Sequence, residues 1–143
     1  MTSLEVSILK PVVANAIRRR AGSGADALAI AAGARLAYQD LAAVLVSLLS
    51  QAGVDALVGR ASQLTKREYP LDRHEEETAE PFGQAMRWAE RQNPTLALGA
   101  ATMLLATFAA LLAALIGEPL TTRYLRKAWP GDFSDTRPEG TQP

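Results

Sequence analysis

Residues 96–116, LALGAATMLLATFAALLAALI, form a run of 21 residues without a single charge. Ala and Leu lose little rotamer freedom in a helix, so the run reads as helix throughout. Asn93-Pro94 just ahead supplies an N-cap side chain and a first-turn proline, and Gly117 behind it begins a break. A helix apolar on all sides has to be wrapped by its own chain, by a partner or by lipid. Which of these wraps it decides the fold.

The whole chain favours helix. It holds 27 Ala and 20 Leu against 7 Val and 4 Ile, so the β-branched residues suited to a pleated sheet are scarce. An all-α fold follows. At 143 residues the chain is one domain long and large enough to bury a core without staples. With no Cys it has no disulfide, thiolate nucleophile or Cys-based metal site, and its single His removes multi-histidine sites. Fifteen Lys and Arg balance fifteen Asp and Glu, so no global field draws nucleic acid or an anionic membrane.

Outward from the apolar run, other helices show by their spacing. Pro11 fits a first turn, Val12, Val13, Ala16 and Ile17 share a face, and Arg18, Arg19 and Arg20 close it at the cation-favouring end. Ser23 and Asp26 resemble a capping pair opening a second helix to about Ala52, with a stripe of Ile30, Ala34, Ala37, Leu41, Val44 and Leu48. Gly53 is the expected stop, and Leu57, Val58, Ala61 and Leu64 line a third helix that Pro70 ends. Residues 71–80 are mostly charged and read as a solvated connector. Pro81 opens a fourth, shorter helix with Phe82, Met86 and Ala89. After Gly117 the fifth helix bends or restarts, and Trp129-Pro130-Gly131 terminates it. The expected architecture is a compact bundle of about five helices in one domain, residues 1–130. The apolar C-terminal helix lies at its centre, and residues 131–143 form a flexible tail.

The same run is long enough to span a bilayer, and Thr102, Ala106, Ala110, Ala114 and Gly117 give it a small-residue stripe. Against a span, no Trp, Tyr, Lys or Arg lies within four residues of either end. The other helices also carry apolar stripes that need burying. A soluble central helix is the reading adopted, with a single-pass span at 96–116 and a soluble domain at 1–93 as the alternative. Glu5 and the lack of a basic leader argue against a signal peptide, so a cytoplasmic setting is expected, with membrane location as the alternative.

Site chemistry is sparse. Gly22-Ser23-Gly24-Ala25-Asp26-Ala27 matches a dinucleotide-turn pattern in letters, but an Arg-capped helix precedes it where that chemistry requires a strand. His74-Glu75-Glu76-Glu77-Thr78 lacks the second His of a zinc-protease helix. Asp40 and Glu118 interrupt apolar surroundings, and the simpler account has Asp40 facing solvent and Glu118 beside a helix break. No catalytic, cofactor-binding or metal-ligating residue is assigned.

Trp88 and Trp129 each sit beside basic residues, and Trp with Arg is enriched in interface hot spots. The expectation is a non-enzymatic helical interaction or regulatory subunit. It would offer apolar helix faces to a copy of itself or to a protein partner, with no nucleic acid and with membrane contact only through residues 96–116. Leu41, Val44, Leu48, Trp88, Tyr124 and Trp129 are the candidate interface residues.

Overall fold

The computed structural model describes residues 5–71 and 81–134, and every regular element among them is helical. The chain is a compact all-α bundle. The connector expected at 71–80 lies, after Leu71, outside the described residues, as does His74.

Helix α1, Val6–Ala21, buries Leu9, Val12, Val13, Ala16 and Ile17 on one face. It starts a turn earlier than Pro11, which lies inside it. The Ser7 carbonyl that Pro11 leaves without its helical donor belongs to an exposed residue, where solvent can replace it. Helix α2, Ala27–Thr65, opens on Asp26, whose carboxylate accepts from the Ala29 N–H at 2.9 Å. Asp26 rather than Ser23 is therefore the cap.

The expected break at Gly53 falls instead at Ser50, with φ 70° and ψ 161°. Its hydroxyl oxygen accepts from the Gly53 N–H at 3.2 Å, so Ser50 caps a new helical start and splits α2 into limbs 27–49 and 51–65. Helix α3, Pro81–Glu90, buries Phe82, Ala85, Met86, Trp88 and Ala89. Helix α4, Pro94–Ile116, is capped by Asn93, which accepts from the Leu96 N–H at 2.8 Å. Gly117, at φ 95°, turns the chain into α5, Glu118–Ala128. A short α6, Pro130–Ser134, follows Trp129.

The first limb of α2 runs parallel to α4. Ile30 and Leu98 meet at one end, and Tyr38 packs edge-on against Phe108 further along, with centroids 6.0 Å apart. The second limb returns, bringing the Tyr69 hydroxyl down over Gly99. Helix α3 lies antiparallel to the first limb, since Phe82 stacks on Tyr38 at 4.4 Å and Glu90 reaches Arg35. Helix α4 packs against α1, α2, α3 and α5 and so occupies the centre. Its last turn emerges, with Leu115 61% exposed.

Gly33 sets the α1–α2 crossing. A Cβ there would lie 2.8 Å from the Ile17 carbonyl oxygen and 2.9 Å from the Ala21 nitrogen. The tail expected from residue 131 is corrected at its start. Gly131 and Asp132 are in α6, and Asp132 is buried against Arg19 at 3.0 Å and Arg20 at 3.3 Å. Those guanidiniums hold the segment on the bundle. Residues 135–143 of that tail lie outside the described residues.

Candidate interaction surface

Three of the six proposed interface residues belong to the protein's own core. Leu41 and Trp129 are fully buried and Trp88 nearly so. Leu41 lies on the face of α2 turned to the core, Trp88 on the buried face of α3, and the Trp129 indole N–H donates to the Ala37 carbonyl at 3.0 Å. Burying each ring in this chain leaves it unavailable to a partner in this conformation. Val44 and Tyr124 are half-buried and packed on the core, and Leu48 is exposed. These six do not form one surface.

A different apolar surface runs along the outside of α2. Ala32, Leu36, Gln39, Ala43 and Val46 recur at spacings of 4, 3, 4 and 3, and all are exposed. Such spacing keeps them on one helical line. Leu36 and Val46 are 48% and 40% exposed, and Leu28, at the start of the same helix, is 60% exposed. On one side of the line Arg35 pairs with Glu90 at 2.7 Å, and on the other Arg20 pairs with Asp40 at 3.0 Å. The surface therefore has an apolar middle and a charged rim already neutralised within the chain, which is the anatomy of a protein interface. The stripe read from sequence is the inner face of the same helix. Its outer face also repeats at helical spacing, and that second periodicity is the available signal.

The carboxylates considered for chemistry have structural roles. Asp40 is exposed and accepts from Arg20, whose guanidinium also reaches the Ala16 carbonyl and Asp132. Glu118 begins α5 at the Gly117 break, where a negative charge suits the helix N-terminus. Gly22 and Gly24, at φ 95° and 63°, form the turn between α1 and α2, with a helix ahead of them in place of the strand a dinucleotide turn needs. Among the described residues no three His, Cys, Asp or Glu side chains gather as a metal site would require. No family model, curated protein sequence or solved structure matches this chain.

Proposed function

We propose that the chain is a non-enzymatic helical assembly module, working in a soluble, cytoplasmic setting, that pairs with a second copy of itself through the outer line of α2. The supporting observation is the row of exposed Leu36, Ala43 and Val46 between two neutralised charged flanks. The row is self-complementary in size. Two copies crossing antiparallel about Gln39 set each Leu36 against the small Ala43 of the other copy, and each Val46 against Ala32. The two Gln39 amides meet at the symmetry axis, where each can both donate and accept.

Sedimentation equilibrium across the micromolar range tests this pairing. A concentration-dependent monomer–dimer equilibrium is expected, and Leu36→Glu is expected to abolish it while leaving the circular dichroism spectrum unchanged. A wild-type chain that stays strictly monomeric overturns the self-pairing.

A second reading, residues 96–116 as a membrane span, draws support from the length and apolarity of α4. Helix α2 is also long and apolar enough to cross a bilayer. More of the apolar stretch of α4 is packed inside the fold than of α2, 56% against 22%. Moving α4 into lipid would strip the faces of α1, α2, α3 and α5 that it covers. An alkaline carbonate wash separates the readings, since an integral span stays in the pellet and an assembly module does not.

A further inference from the structure

A cavity of about 490 Å³ lies between α1 and α4, with Tyr69 at the end of the second α2 limb beside it. Its polar lining consists of Ser7, Lys10, Arg18, Tyr69, Thr95 and Thr102, with no carboxylate. In a chain of zero net charge this local excess of cations is a property of the fold. Lys10 and Arg18 stand eight residues apart on α1, near two helical turns, so both project from one face into the same space. Among the described residues neither forms an ion pair or hydrogen bond.

Thr102 is the more telling member. It is only 7% exposed, and its hydroxyl oxygen is shut from solvent with no hydrogen-bond partner. A buried hydroxyl left unpaired is unfavourable, and this one lines the cavity. The start of α4 adds a further donor. Pro94 has no N–H, and the Leu96 and Ala97 N–H groups go to the Asn93 side chain and carbonyl, which leaves the Thr95 N–H as the open donor of the first turn. Pro11, Ala14 and Leu98 supply an apolar wall.

We propose that this cavity binds an organic phosphate. The phosphate oxygens sit among Lys10, Arg18 and the hydroxyls of Thr95 and Thr102, and the organic portion lies against Pro11, Ala14 and Leu98. A guanidinium fork, an ammonium point charge and several hydroxyl donors together match a tetrahedral oxyanion, and a cavity of this size admits a small ligand. The same chemistry is offered by a free phosphate ester and by a phosphomonoester lipid headgroup.

Titration of the full chain by calorimetry distinguishes the sources, with glycerol 3-phosphate as the soluble probe. Phosphatidylcholine vesicles with and without phosphatidic acid are the lipid probe. Saturable binding is expected to at least one of them, and to the vesicles only when phosphatidic acid is present. Arg18→Gln is expected to weaken it about tenfold, as loss of one charge-assisted contact implies. Thr102→Val, which keeps the side-chain shape, is expected to weaken it about threefold. Arg60→Gln removes an exposed cation outside the cavity and should leave binding unchanged. No saturable binding to either probe overturns the proposal. So does a loss with Arg60→Gln equal to that with Arg18→Gln, or a Thr102→Val chain that binds like the wild type.

Discussion

The indole nitrogen of Trp129 donates to the main-chain oxygen of Ala37 at 3.0 Å, across 92 residues of sequence. The bond fastens the end of α5 to the first limb of α2, and the ring fills the space between them. Trp129→Phe keeps a large ring and loses the N–H, which is expected to cost about 1–2 kcal/mol. Trp129→Ala also opens a cavity and is expected to cost about 3–5 kcal/mol. Urea unfolding followed by circular dichroism should rank the proteins wild type, then Trp129→Phe, then Trp129→Ala.

Gly33 lies where α1 meets α2, and its missing Cβ would fall within 3.0 Å of main-chain atoms of Ile17 and Ala21. Backbone cannot swing aside as the tip of a side chain can. Gly33→Ala is therefore expected to destabilise by about 1–3 kcal/mol, although Ala favours helix by itself. Gly59→Ala is the contrast, since its new Cβ would meet only the Pro81 ring at 3.9 Å. Thermal melting of the two variants should give shifts of opposite sign.

Ser50 holds a backbone conformation that suits glycine, at a strain of about 1–3 kcal/mol for any other residue. Its hydroxyl offsets part of this by capping Gly53. Ser50→Gly removes the strain and, because glycine is a tolerable cap, loses only a few tenths of a kcal/mol. Ser50→Ala keeps the strain and loses about 1 kcal/mol of capping. Denaturant midpoints should rise for Ser50→Gly and fall for Ser50→Ala.

Asp132 is 2% exposed and faces Arg19 and Arg20, of which Arg19 is 60% exposed. Asp132→Asn leaves the two guanidiniums facing a neutral amide, at an expected cost of about 1–2 kcal/mol because Arg19 can turn to water and Arg20 keeps Asp40. The carboxylate lies out of reach of bulk ions. The difference between wild type and variant, read from urea midpoints at low and high salt, should thus change little with ionic strength.

The all-α class is legible from the Ala and Leu content, and α4 from its cap and its uncharged run. The position of the corner in α2 is not. Gly53 carries the obvious breaking signal, yet the chain turns at Ser50, where a serine both takes the positive φ and caps the second limb. Likewise Pro11 looks like a helix start, and only the burial of Leu9 one turn earlier carries α1 back to Val6. The interface residues expected from sequence miss the outer surface for a related reason. Helix α2 is apolar on two faces, and local spacing does not say which face α4 covers. That choice is made by contacts such as Tyr38 on Phe108.

The parallel run of α4 beside the first limb of α2 also sets a kinetic expectation. Tyr38 and Phe108 are 70 residues apart in sequence, so the central pair cannot zip up from a neighbouring turn. The two limbs of α2, joined at Ser50, can meet early, whereas α4 docks only after a long loop has closed. Stopped-flow refolding is accordingly expected to be slower than that of an up-and-down bundle of equal length, with the rate answering to substitutions at Phe108 more than to those at Trp129.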